Sequence, residues 1–310
     1  MAIVIPAFNE ELCLPELVKR LKRVFDSETQ YRFRCIIVEN GSRDCSWEII
    51  TDEAASDERI EGVQLSRNYG ADGGITAGLD LVDEDAAILM TADLQDPPEV
   101  IPKLLRQWEL GYENVYGVVT RRVGTGPLRR MNSRAFYWLA ARLSDNQIPE
   151  NASDFRLLDR RAYQAVRSLR ERNRMMRGLA AWVGFRSCGV PFERPQRYAG
   201  SSKATTKTVM RLATQGIFSN SVKPLRLITL VGTGLSVFAL ISIVILAILW
   251  LFRGVPFAGF GTLVSISLLA FGLLSLMVGI VAEYVGLIYE EVRQRPIYLV
   301  RQMTHGRREN

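Results

Sequence analysis

Short apolar runs alternate with amphipathic stretches along the first half of the chain. Ala2-Ile3-Val4-Ile5 stops at Pro6 and leads into Phe8-Asn9-Glu10. Leu12, Leu17, Val18, Leu21, Val24 and Phe25 then recur at helical spacing. Arg34-Cys35-Ile36-Ile37-Val38 runs into Glu39-Asn40-Gly41-Ser42, and a second helical pattern covers Ser46 to Ala55. Val63-Gln64-Leu65 is a short strand ending at Ser66-Arg67-Asn68-Tyr69-Gly70; a Gly-rich turn and a helix from Ile75 to Leu81 follow. Ala86 to Glu99 (AAILMTADLQDPPE) begins apolar and ends in two carboxylates, an amide and a Pro-Pro pair. Apolar runs bounded by turn signals predict buried strands. Their alternation with helices predicts an α/β fold with a parallel sheet wrapped on both faces. Each run ends in polar residues, so the strand tips line one crevice, where open α/β sheets bind ligands.

Asp96-Pro97-Pro98 reads as a helix start, with Asp96 as N-cap. Val100, Ile101, Leu104, Leu105 and Trp108 give that helix one apolar face. Asp93 and Gln95 then lie just past a buried strand, and two oxygen donors there suit Mg²⁺ or Mn²⁺. The alternative is that Asp93 and Asp96 are only turn and cap residues. The usual phosphate loops are absent: there is no GxxxxGK[ST], and Gly70-Ala71-Asp72-Gly73-Gly74 is not GxGxxG and follows the wrong strand. A diphosphate bound in this crevice therefore needs a metal and basic side chains. A strand over Asn114 to Val119 is followed by Arg121 and Arg122, then by a Gly-containing loop, Arg130 and Ser133. Such arginines suit phosphate because the guanidinium offers paired donors; the alternative is a solvated basic surface. Asp154 stands in a half-apolar context and reads as a site acid, an N-cap or a partner of Arg156. Met175 to Phe185 (MMRGLAAWVGF) reads as core or as a surface resting on lipid, and Arg197 to Lys203 is a second Gly/Ser turn with basic ends.

The C-terminal third changes character. No charge occurs from Leu227 to Phe252 or from Gly254 to Ala282, and each gap exceeds the ~20 residues needed to cross a bilayer. A two-helix membrane hairpin is the expectation. Lys223 and Arg226 precede it, and Arg293, Arg295, Arg301, Arg307 and Arg308 follow it; the positive-inside rule then puts the N-terminal domain and both termini in the cytoplasm. Thr205 to Val222 is amphipathic and fits the headgroup region. The net charge of +6 over 310 residues suits a membrane surface and anionic substrates, and no aromatic-plus-basic module for nucleic acid is present. Four cysteines without metal-ligand spacing fit a reducing compartment. The expected organisation is a cytosolic α/β domain over 1–204, a juxtamembrane segment over 205–224, the hairpin over 225–290 and a basic tail over 291–310. A strand over Ile297 to Val300 is expected to pair with a neighbouring subunit, which favours a homo-oligomer.

In order, IVIPAFNE, IIVENGS, LSRNYG, TADLQDPPE, ASDFRLLDRR, RNRMMRGLAAWVGF, RYAGSSK and the hairpin resemble the polyprenyl-phosphate glycosyltransferases. Within that family the chain resembles dolichyl-phosphate mannose synthases and, more strongly, bacterial undecaprenyl-phosphate glucosyltransferases of the GtrB type. The resemblance implies a GT-A fold and inverting transfer of a sugar from a nucleotide sugar to a membrane polyprenyl phosphate. It implies that Pro6, Phe8, Glu10, Glu39, Asn40 and Arg67 hold the nucleoside end of the donor, and that Ala92, Asp93 and Gln95 hold the metal and diphosphate. Asp154, with Asp93, would be catalytic. Arg121, Arg122, Arg130, Ser133, Arg197, Ser202 and Lys203 would bind the lipid phosphate. Two positions depart from the family pattern: Glu39-Asn40 replaces Asp-Asp, and Thr91 replaces an Asp. Glu39 accepting and the Asn40 amide donating suit uracil better than guanine. By resemblance the donor is UDP-glucose; GDP-mannose or another UDP-sugar stays open. Thr91 and Asn40 also keep open a non-catalytic, membrane-anchored sugar-nucleotide scaffold. The acceptor phosphate needs no strong base, so Asp154 is expected to position groups.

Overall fold

The computed structural model describes residues 1–122, 152–172, 174–199, 223–253 and 259–304. The elements, in chain order, are β1 (Ala2–Ala7), α1 (Leu14–Ser27), β2 (Arg34–Glu39), α2 (Ser46–Ser56), β3 (Ile60–Leu65), α3 (Gly70–Leu79) and β4 (Ala86–Leu89). A 3₁₀ turn, Pro98–Val100, leads into α4 (Ile101–Glu109). Then come β5 (Asn114–Arg122), β6 (Ala152–Asp159), α5 (Arg160–Ser168), α6 (Met176–Trp182) and β7 (Ser187–Arg194). Two long helices, α7 (Lys223–Arg253) and α8 (Phe260–Val292), precede β8 (Val300–Met303).

One eight-stranded sheet has the order β7-β5-β6-β4-β1-β2-β3-β8. The strands β1 to β4 run parallel. In β1, β2 and β4 the side chains are buried on both faces, which is why their interiors read as continuous apolar runs. One core lies on the face of α1 and α4, with Leu17, Leu21, Ile37 and Leu104. The other lies under α3, α5 and α6, with Val38, Leu79, Tyr163 and Met176. Each fully enclosed Leu or Ile contributes roughly 1.5–3 kcal/mol of apolar burial.

The sheet is mixed rather than purely parallel, because β6 runs antiparallel to β4 and β5. Helix α3 starts at Gly70 rather than Ile75, so the Gly-rich stretch is helix and not turn. A Cβ on Gly78 would fall 2.4 Å from Val4 Cγ1; the absence of side chain there brings α3 close against β1 and β2. Asp96 caps no helix; Pro97 precedes the 3₁₀ turn, and no side-chain cap is made. Met176, Leu179 and Ala180 belong to the second core, which decides the Met175–Phe185 stretch in favour of core. The tail strand forms three residues later than expected and pairs antiparallel with β3 of its own chain.

The chain forms two compact units. The first comprises Met1–Trp138, Asn146–Val209 and Arg295–Asn310; the second comprises Leu139–Asp145 and Met210–Gln294. The tail therefore belongs with the sheet. Within the second unit, Leu269–Val292 is long and apolar enough to cross a membrane.

Candidate active site

The tips of β1 and β2 are laced together by their loops. Asn9, in the left-handed region at φ +51°, accepts from the Arg43 amide at 2.8 Å and donates its own amide to Ser42 Oγ at 2.9 Å. The Glu10 amide donates to Ser46 Oγ at 3.0 Å. Gly41 has φ +70°, and a Cβ there would lie 2.5 Å from the backbone of Arg67. Only glycine lets the β2 loop sit this close to the end of β3.

Between these tips lies a cavity of about 430 Å³, lined among others by Phe8, Glu39, Ser42, Arg67, Asn68 and Arg301. Glu39 is 1% exposed. Its Oε1 accepts from the Ser42 amide, while Oε2 has no hydrogen-bond partner among the described residues. A buried carboxylate oxygen left so is unusual and calls for a donor. The Asn40 side-chain amide donates to Gly70 O at 2.7 Å and its carbonyl accepts from the Tyr69 amide at 2.9 Å. It holds the start of α3. Pro6 packs at the same helix, 2.9 Å from where a Cβ on Gly74 would stand.

The turn after β4 is built around Asp93. The Thr91 hydroxyl lies 2.8 Å from both Asp93 Oδ1 and Asp96 Oδ2. The Gln95 amide donates to Asp93 Oδ1 at 3.2 Å, an approach made possible by Leu94 in the left-handed region at φ +60°. Such a conformation costs about 1–2 kcal/mol outside glycine. Leu94 and Ala92 are buried beneath the turn. Asp96 is fully buried and also meets Arg194 at 3.4 Å. Asp93 Oδ2 lies 3.3 Å from the Arg197 guanidinium, which also meets Glu10 Oε1 at 3.1 Å. Glu10, Asp93 and Arg197, far apart in sequence, thus share one spot.

Asp154, on β6, forms a two-pronged pair with Arg177 of α6, at 3.0 and 2.5 Å. Burial works to raise this carboxyl, but Arg177, with Arg156 and Arg194, outweighs it and holds Asp154 below the ordinary range. Arg156 is itself pushed down to about 10 by burial. Asp72 of α3 accepts from the Met176 amide at 3.0 Å; burial, then the charge of Asp154, raises it to about 6.

Sequence reasoning missed Arg177, Arg194, Asp72 and the Thr91 bridge. Arg177 had one available signal: it is the only charge in MMRGLAAWVGF. Arg121 and Arg122 sit at the end of β5 opposite Glu193 and Arg194 in register. Arg130, Ser133, Ser202 and Lys203 lie outside the described residues.

Among the described residues no cluster of three His, Cys, Asp or Glu stands ready for a metal. The oxygen-only turn at Asp93 still fits a hard cation, since Mg²⁺ is commonly held by one or two carboxylates plus substrate phosphates.

Residues 2–167 match the model of the family described as Glycosyl transferase family 2. The chain is 38% identical to an uncharacterized glycosyltransferase of Bacillus subtilis (strain 168) over 98% of its own length and 94% of the relative's. It is 34% identical to a bactoprenol glucosyl transferase of Shigella phage SfII, covering 99% of both chains. Among solved structures it is similar to glucosyl-3-phosphoglycerate synthase from Mycobacterium tuberculosis, at 15% identity and a TM-score of 0.49 over 71% of this chain and 79% of that one. With the mixed sheet, the acid at the β4 tip and this full-length similarity, the chain belongs to glycosyltransferase family 2.

Proposed function

We propose that this enzyme transfers a sugar, with inversion, from a uridine diphosphate sugar to a polyprenyl phosphate at a membrane surface. The observation that carries the reading is the meeting of Glu10, Asp93 and Arg197, with Glu10 next in the chain to Asn9 on the wall of the Glu39 cavity. Acid for a cation-bound diphosphate and base for an anionic acceptor stand together there. The acceptor class rests on the full-length similarity to the bactoprenol glucosyl transferases, and glucose is the sugar that similarity favours.

The preference for uridine follows from Glu39. One of its oxygens is taken by Ser42, and the other, buried, has no hydrogen-bond partner among the described residues. Uracil offers a single ring N–H between two carbonyls, which one oxygen satisfies. Guanine offers adjacent ring and amino N–H groups, which ask for both. Phe8 and Arg67 supply the planar surfaces around the base.

Asp93, with Gln95, would hold Mg²⁺ or Mn²⁺, which supplies neutralisation of charge growing on the leaving diphosphate. In the reaction the bond from the anomeric carbon to the donor phosphate oxygen breaks, and its electron pair leaves with UDP. A lipid phosphate oxygen forms the new bond from the opposite face. A phosphate monoester has a second pKa near roughly 6, so its dianion is present at neutrality. Arg197, with Arg121, Arg122, Arg130, Ser133, Ser202 and Lys203, orients that dianion. Asp154 fixes Arg177 and carries no proton. The long helices α7 and α8, which carry the charge-free stretches 227–252 and, within α8, 260–282, form the two-span anchor, with the sheet on the cytoplasmic side.

The reading is tested with purified protein, labelled UDP-glucose, Mg²⁺ or Mn²⁺ and a polyprenyl phosphate. Labelled glycolipid, lost on chelation and on Asp93→Ala, is expected. No lipid product with any nucleotide sugar, or equal use of soluble alcohols, overturns it.

A further inference from the structure

The strand that follows the second long helix ends beside the nucleoside cavity. Strand β8 extends the sheet beyond β3: Leu299 O accepts from the Ser66 amide at 2.9 Å, and Gln302 donates to Gln64 at 2.9 Å. This pairing puts Arg301 on the wall of the cavity that also holds Glu39, Arg43 and Arg67. Arg67 stacks over Tyr69, 4.2 Å from the ring centre. Elsewhere in the sheet unit Arg20, Arg34, Arg59 and Arg177 face carboxylates. Arg43, Arg67 and Arg301 have no ion pair among the described residues. Three guanidinium groups without an ion pair among the described residues surround one cavity with one unpaired carboxylate oxygen, which describes a site for a ligand that is anionic overall and offers one N–H.

We propose that Arg301, contributed by the tail beyond the membrane helices, is a donor-binding residue. Its guanidinium, with those of Arg43 and Arg67, closes the nucleoside diphosphate against Glu39. Planar guanidinium suits this task because it stacks on a base and donates to carbonyl or phosphate oxygens in one geometry. A consequence follows by linkage. If donor and β8 share Arg301, donor binding must strengthen the β8–β3 pairing as much as that pairing strengthens donor binding. The proposal rests on the uridine-sugar reading above, and the test separates the two.

UDP and GDP binding to the full-length protein with Mg²⁺ is measured by calorimetry for wild type, Arg301→Ala and Arg293→Ala. Arg293 caps the end of α8, just before the tail, stacks on Tyr289 and is not among the residues lining the cavity. Wild type binds UDP; Arg301→Ala weakens it about ten-fold or more, as expected for a charge-assisted contact, and Arg293→Ala leaves it unchanged. The donor KM rises in parallel while the acceptor KM stays. Hydrogen exchange at the amides of 300–303 slows with UDP in wild type but not in Arg301→Ala. UDP affinity of Arg301→Ala within two-fold of wild type overturns the role of the tail and spares the donor reading. An equal loss in Arg293→Ala assigns the effect to general charge and also overturns it. Failure of wild type to bind either nucleotide overturns both.

Discussion

Asp154 is the residue whose surroundings say most about the chemistry. A general base for a reaction at neutral pH should have its pKa near the working pH. Asp154 is held low instead: burial opposes its charge, and Arg177 wins. Its folded pKa lies below the unfolded value of 3.8, so its stabilising contribution is present above that value and is lost as pH falls through the folded pKa. Across neutral pH it is simply an anion gripping Arg177. Asp154→Asn should therefore lower kcat by about 10²-fold through misplacement, without moving the pH optimum; recovery at high pH or with an added small base would sink this assignment. Arg177→Lys, which keeps the charge but not the fork, should fall between wild type and Arg177→Ala. Asp72 shows the opposite sign. Its folded pKa is raised to about 6, so the folded protein binds that proton more tightly, and stability falls as pH rises from 3.8 towards 6. Asp72→Asn keeps an acceptor for the Met176 amide and removes the strained charge. It should raise Tm by about 2–4 °C at pH 7.5, worth about 1 kcal/mol. The gain should vanish below pH 4 in thermal unfolding, and a gain equal at both pH values would refute the charge explanation.

At the scale of elements, the turn from Thr91 to Asp96 is a closed unit. Thr91 bridges Asp93 and Asp96 by its hydroxyl, and its amide also meets Asp96. The family's acid at this position is thus replaced by a donor that ties two acids together. Thr91→Val should leave the buried Asp96 short of a partner, cost about 1–3 kcal/mol and raise the donor KM; Thr91→Ser should restore both. If Thr91→Asp instead tightened Mn²⁺ and raised the rate, Thr91 would be a weakened metal ligand and not a tie. What the sequence revealed follows the same physics. β1, β2 and β4 were legible because both of their faces are buried and their interiors, such as Cys35 to Val38 in β2, are apolar. β7 was not, since only Val190 and Phe192 are buried among its eight residues and Pro191 interrupts it. β6 was hidden by Arg156, a charge at a buried position. The acid at the β4 tip was legible from chain order alone, but Arg177 and Arg197 meet their carboxylates only through tertiary folding.

At the scale of the whole molecule, the arrangement of the chain across the bilayer governs whether donor and acceptor can meet. Sugar nucleotides are cytosolic anions, so the strand tips, with Asp93 and the cavity, must face the cytoplasm if the proposed reaction is to run. The tail obeys the same demand: β8 pairs with β3, and Tyr298 donates to Asp80 at 2.8 Å, so the residues after α8 must lie on the side of the sheet. An N-terminal sheet unit and a returning tail on one side require an even number of crossings between them. The two proposed spans, α7 and α8, would supply two. Leu269, Phe271, Leu274 and Ile288 on α8 are exposed in the chain, as lipid-facing side chains should be. Native Cys45, exposed near the tip of β2, and a cysteine placed at Gly259, between α7 and α8, report opposite sides. A membrane-impermeant maleimide should label Gly259→Cys but not Cys45 in intact spheroplasts. In inverted vesicles Cys45 should react and Gly259→Cys should not. Labelling of both positions from the same side would remove the two-span anchor, and with it the cytoplasmic placement on which the proposed transfer depends.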